Sequence, residues 1–321
     1  TRCINTKKIL DVYYLIDESG SLPMTDPQNT RADILASSLR ALGNFKNDVQ
    51  VDYAVGFFGK GIRQWQSWKK VNPGTLVSDA ANLSQQIKVS NKSSATNWLV
   101  GIQGAQQELQ NQRKLRDSCQ ALIWLTDGGI WVGQSGNEYK IDQAATDKAA
   151  DLLCSDVFQS LRQANVSVFG VLLKNDDALG KFQEPDRTQT LSGMDYMRSM
   201  IEGQGTLLDD SQGNKRCGTV PIPNNYSAGG LLIAQDPVSL AVKFIELNTI
   251  IEGGSPANLA SGNPTQFNIE PGVRKFRLLT TATKWTLTAP TGMVYSNSST
   301  SNVFSDIAGV NQITIPVTPA Q

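Results

Sequence analysis

Histidine is absent from all 321 residues of the chain. Without imidazole, a Ser-His-Asp triad, a histidine zinc site and imidazole general-base catalysis are excluded within it. Paired carboxylates or lysine can still carry catalysis, so the absence narrows the enzyme classes without ending them. Excess charge is missing as well: 29 Lys and Arg balance 29 Asp and Glu, and no basic run exceeds a pair. Nucleic acid and acidic membrane surfaces are therefore not expected as general partners. No apolar run reaches the ~18 residues that would span a bilayer. There is no Gly-x-x-x-x-Gly-Lys-Ser/Thr phosphate loop, no Gly-x-Ser-x-Gly elbow and no Cys-x-x-Cys pair, which removes the usual signatures of nucleotide, hydrolase, zinc and thiol redox sites. The opening Thr1-Arg2-Cys3 has neither an initiator Met nor a signal sequence. It reads as a processed fragment, with an anchor or further domains left open.

What is present is concentrated at the ends of apolar runs. Ile9 to Ile16 is apolar-rich and does not alternate, as expected of a strand covered on both faces of a parallel sheet. It delivers Asp17-Glu18-Ser19-Gly20-Ser21 to its tip. A second such run, Ala121 to Thr126, ends in Asp127-Gly128-Gly129, and between the two Ser94-Ala95-Thr96-Asn97-Trp98 precedes a helical stretch, Leu99 to Gln112. Taken singly these have plain roles: an Asx or Ser turn, a strand-end turn, a helix cap. Together they place carboxylates and hydroxyls beyond the carboxyl ends of parallel strands, where such sheets bind ligands. Oxygen ligands of this kind suit a hard cation.

Asp-x-Ser-x-Ser, then Thr-Asn-Trp, then Leu-Thr-Asp-Gly, in that order, resembles the von Willebrand factor type A family over roughly residues 8 to 252. The resemblance implies a metal-ion-dependent adhesion site for one Mg²⁺ or Mn²⁺. Ser19 and Ser21 would ligate through their hydroxyls, Asp17 and Asp127 mostly through metal-bound water, and Thr96 directly or through water. With neutral hydroxyls around it, the ion would seek one more anionic oxygen, from an Asp or Glu of a protein partner.

Cys3, Cys119, Cys154 and Cys217 form either two disulfides or four thiols, a secreted setting favouring the first. In the fold the resemblance implies, the first and fourth strands are neighbours. Cys3 would then meet Cys119 at the amino-terminal edge of the sheet, leaving Cys154 for Cys217. The segment Cys-Gln-Ala-Leu-Ile-Trp-Leu-Thr-Asp-Gly looks like secreted type A proteins of Gram-positive actinobacteria.

The remaining pattern fits an α/β, doubly wound, mostly parallel sheet with helices on both faces. Helical stripes are expected over Arg31 to Phe45, Leu76 to Val89, Ile141 to Ala164 and Val238 to Ile251. Strands are expected at Val49 to Phe58, Val166 to Leu173 and Gly229 to Ala234, with Ile62 to Val71 as an alternating antiparallel edge. Leu22 to Thr30, Gly128 to Lys140 and Lys174 to Thr190 read as long rim loops, and Gly203 to Gly230 as a longer one that could hide a strand near Leu207-Leu208. Residues 1–252 would form the type A domain and 253–264 a linker. Residues 265–321 would form a small all-β, sandwich-like domain that could continue past Gln321, with strands at Phe267 to Ile269, Val273 to Thr280, Lys284 to Ala289 and Ile313 to Val317, and a hairpin tip at Ser296 to Asn302. The expected function is extracellular adhesion without catalysis. Its rivals are an intracellular type A scaffold docked to a ring ATPase, and a metal-assisted hydrolase with Glu18 or Asp26 as base.

Overall fold

Strand formation follows from burial on both faces. In the computed structural model, β1 (Ile9–Asp17), β2 (Gln50–Phe58), β4 (Cys119–Thr126) and β7 (Val166–Leu173) are buried almost throughout. The structure describes residues 2–45, 48–90, 93–135, 137–173, 193–202, 229–234 and 237–251, with shorter pieces at 183–184, 187–188, 208–209, 215–216 and within 275–316.

The main sheet runs β12-β7-β4-β1-β2-β3, where β12 is Gly230–Ala234 and β3 is Ile62–Lys70. All neighbours are parallel except β3, the antiparallel edge that alternation predicts. Successive residues of β1 feed two cores, as the period of two requires. Leu10, Val12, Tyr14 and Ile16 pack with α3 (Thr30–Ala41), α4 (Leu76–Val89) and the last helix, α9 (Pro237–Ile251). Tyr13 and Leu15 pack with α5 (Trp98–Leu115), α6 (Gln143–Leu152), α7 (Phe158–Gln163) and α8 (Gly193–Glu202). No described helix is long and apolar enough to cross a membrane.

Several details differ from expectation. Ile141 belongs to a hairpin, β5 (Gly133–Gln134) with β6 (Asn137–Ile141), inside what reads as a rim loop. The long helical pattern after it is interrupted by a π-turn at Leu153–Val157. Helix α3 ends earlier than its stripe and continues as a 3₁₀ turn, Leu42–Asn44. Three described helices carry no sequence expectation: α8, the short α1 (Arg2–Lys7) and the single turn α2 (Leu22–Thr25), which falls in what reads as the first rim loop. Short hairpins pair β8 (Gln183–Glu184) with β9 (Arg187–Thr188) and β10 (Leu208–Asp209) with β11 (Lys215–Arg216), so a strand does exist at Leu208 while β12 still closes the sheet.

Beyond α9 the described strands pair antiparallel. One sheet orders β13 (Lys275–Thr280), β17 (Val310–Pro316) and β16 (Ser305–Ile307), and a hairpin pairs β14 (Thr286–Thr288) with β15 (Val294–Ser296). Strand β16 lies against α3 and β17 against α9, with Ile315 buried. Residues 253–264, Phe267 to Ile269 and 297–302 lie outside the described residues.

Cys3 and Cys119 are disulfide-bonded, joining α1 to the start of β4. Cys154 is also disulfide-bonded; its expected partner, Cys217, lies outside the described residues.

Candidate functional site

The tips of β1 and β4 are adjacent because these strands pair in register, with Ile16 opposite Leu125. Asp17 therefore comes level with Thr126, and Asp127 follows one residue further on, close enough for its charge to act on Asp17; both acids are buried. Thr126 donates its hydroxyl proton to Asp17 Oδ2 at 2.5 Å, and the Ser19 amide donates to Asp17 Oδ1 at 2.8 Å. Ser21 Oγ donates to Asp127 Oδ1 at 3.0 Å, and Ser19 Oγ lies 3.1 Å from Ser21 Oγ. Four of the five expected residues thus form one hydrogen-bonded cluster.

The fifth, Thr96, is tied to this cluster by backbone. Its amide donates to the Trp131 carbonyl at 3.1 Å and its carbonyl accepts from the Trp131 amide at 3.0 Å. Three residues earlier, Ser93 accepts from the Gly20 amide and donates to the Glu18 carbonyl. The Thr96 loop is therefore laced between the tip loops of β1 and β4. Gly59, at the tip of β2, lets Ser93 come close: a Cβ there would stand 2.1 Å from the Ser93 hydroxyl. The cap of α5 is not Thr96 but Asn97, whose side chain accepts from the Val100 amide. Trp98, fully buried edge-to-face against Trp124 at 4.7 Å, anchors the helix entrance to β4. Among the described residues, no hydrogen bond joins the Thr96 side chain to the other four.

Electrostatics single out the two acids. Five aspartates are buried among the described residues: Asp11, Asp17, Asp26, Asp52 and Asp127. Asp11 and Asp52 share Arg116, and Asp26 pairs with Arg31 at 2.8 Å. Asp17 and Asp127 make no ion pair with any described residue. Burial, and then the charge of Asp127, push the Asp17 carboxyl up to about 7, against hydrogen bonds from Thr126 and Ser19. Burial pushes Asp127 up too, while the Thr25 and Ser21 hydroxyls and the charge of Arg31 pull the other way.

Three contributors escape the sequence motif. Thr25 donates to Asp127 Oδ2 at 2.5 Å, Thr126 holds Asp17, and Ser93 joins the loops. Single hydroxyls in loops are too common to be noticed without the closure of the fold. Asp26 proves to be structural: it accepts from the Thr30 and Arg31 amides at the start of α3 and from the Arg31 side chain, which is as buried as itself. Glu18 is held by Arg63 at 2.7 Å. Met24, by contrast, stands 76% exposed on the rim.

No protein-family model matches the chain, and no curated protein does. Among solved structures, the PilB minor pilin from Streptococcus sanguinis aligns with 78% of this chain at 12% identity and a TM-score of 0.51. This chain spans 62% of that pilin's length. A von Willebrand factor type A protein from Catenulispora acidiphila aligns with 98% of this chain and 56% of its own length, at 15% identity and a TM-score of 0.44. Proximal thread matrix protein 1 from the mussel byssus aligns with 76% of this chain and 46% of its own, at 13% identity and 0.42. The pilin shares the fold of this chain; the other two, below 0.5, add no argument to it.

Proposed function

We propose that this chain is a binding protein that holds one Mg²⁺ or Mn²⁺ among Asp17, Ser19, Ser21, Thr96 and Asp127, and through it takes an Asp or Glu carboxylate of a protein partner. The observation that carries the reading is the exception among the buried acids: Asp17 and Asp127 lie together at two strand tips and, of the five aspartates buried among the described residues, are the two that make no ion pair there. Two like charges in such a place are costly unless compensated. A divalent ion would supply the compensation.

The donor set fits that ion. It consists of oxygen only, and among the described residues no group of three or more acidic, Cys or His side chains converges as a calcium cage or zinc site would. Ser21 points its proton at Asp127, which leaves an oxygen lone pair, beside the one that faces Ser19, available to a cation. When bound, the ion would act as a focused positive charge for an incoming carboxylate. The rim, including exposed Met24, would select the partner by shape.

The same geometry weighs against the rival readings. Asp26 is sealed by Arg31 and Glu18 is held by Arg63, so neither bases of the hydrolase reading is poised for proton abstraction. Disulfide bonding at Cys3, Cys119 and Cys154 supports an extracellular setting over an intracellular scaffold. Residues 1–252 would carry the site, and 265–321 would form a small all-β domain beside it.

Calorimetric titration of Mg²⁺ and Mn²⁺ into metal-stripped protein tests the reading, with Asp127→Ala checked by circular dichroism as control. Saturable one-site binding that disappears in the variant is expected. A folded wild type that binds neither ion would return all five residues to turn and cap roles.

A further inference from the structure

Thr25 lies outside the Asp-x-Ser-x-Ser pattern yet touches its far partner. The short helix α2 (Leu22–Thr25) is set by Pro23 in its first turn, and the Met24 and Thr25 amides both donate to the Ser21 carbonyl. One helical turn brings residues four apart onto the same side. Ser21 and Thr25 therefore offer two hydroxyls, 3.0 and 2.5 Å, to the two different oxygens of Asp127. The shorter distance is typical of a hydroxyl donating to an ionised carboxylate. The other acceptors open to Thr25, the carbonyls of Ser21 and Leu22, are at 3.5 and 3.4 Å, so its proton belongs to Asp127. The loop cannot easily drift. Leu22 is buried at one end of α2, and at the other Asp26 is fixed by Arg31 and the start of α3.

Resting on the metal reading above, we propose that Thr25 is a positioning residue that makes the site selective for small octahedral cations over Ca²⁺. Ca²⁺ gains from carboxylates that present both oxygens at about 2.3–2.6 Å and tolerates irregular, expanded shells. Mg²⁺ takes single oxygens and waters at about 2.0–2.1 Å. With Oδ2 accepting from Thr25 and Oδ1 from Ser21, the Asp127 carboxylate is fixed in orientation, with Oδ1 on the side of the Ser21 hydroxyl. Each oxygen keeps a lone pair, but presenting both to a larger ion would turn the carboxylate and give up the Thr25 bond, whereas a small ion can use Oδ1, directly or through water, without that loss. Outer groups of this kind commonly change metal affinity by about 10–100-fold.

The test is calorimetry with Mg²⁺ and with Ca²⁺ on wild type, Thr25→Ser, Thr25→Val and Thr25→Ala. Wild type and Thr25→Ser should prefer Mg²⁺. Thr25→Val and Thr25→Ala should lower the Mg²⁺-to-Ca²⁺ affinity ratio about tenfold or more. Rescue by serine separates the hydroxyl from the packing of the methyl group, and alanine serves if valine does not fold. An unchanged ratio in a folded variant that still binds Mg²⁺ would overturn the role of Thr25 alone. Loss of all binding in wild type would overturn the metal reading and this inference together.

Discussion

Asp17 shows how much of the site's behaviour one carboxyl can govern. Its pKa rises from an ordinary 3.8 to about 7 because burial and the neighbouring Asp127 disfavour its charge. Between roughly pH 4 and 7 the unfolded chain has lost this proton and the folded chain keeps it, so the folded state binds more protons and stability falls as pH rises. Metal-free protein should be more resistant to urea at pH 5 than at pH 7.5, and Asp17→Asn should flatten that slope. Metal ligation needs the ionised form, so Mg²⁺ affinity should climb over the same interval. A wild-type urea midpoint that does not fall between pH 5 and 7.5 would show that Asp17 is not the titrating group. The acid itself was visible in the sequence, since it ends an unbroken apolar run. Thr25 and Thr126 were not, because nothing local distinguishes a hydroxyl that reaches a carboxylate a hundred residues away from one that caps its own turn.

Among elements, α3 connects the site to the rest of the molecule. Its first turn is held by Asp26, which accepts from two amides and from a guanidinium with no exposure to water. Asp26→Ala should cost about 3–5 kcal/mol in chemical denaturation, because it leaves Arg31 charged and buried without that partner. A loss below about 1 kcal/mol would mean that water reaches the pair. Elements with a strong period were legible: the continuous apolar strands β1, β4 and β7, the alternating edge β3, and α4 with the bounds its stripe gives. The hairpin of β5 and β6 was not: Tyr139 and Ile141 do alternate with Glu138 and Lys140, but two apolar residues opposite the polar, two-residue Gly133-Gln134 are too short a pattern to stand out from a loop. Helix α8 could have been read from Met197, Met200 and Ile201, whose spacing puts them on one buried side. Its ten residues are short enough to pass for part of the loops around it.

At the scale of the whole molecule, the bond between Cys3 and Cys119 closes a ring of sequence separation 116. Replacing both cysteines by serine should lower stability by about 2–5 kcal/mol, read by urea denaturation against wild type. The ring also decides where mechanical load travels. A pull applied ahead of Cys3 and balanced beyond Cys119 crosses the sulfur bridge into β4 and never stretches the backbone between them. Asp17, Ser19, Ser21 and Thr96 all lie in that unloaded segment; Asp127 lies just past it, on the loaded path. At about 3.5 Å per residue the segment stores roughly 400 Å of chain. Single-molecule extension of the double-serine variant should release that length in addition to what wild type releases. Four of the five residues of a grip at the strand tips would thus sit on a part of the polymer that such a pull cannot pay out.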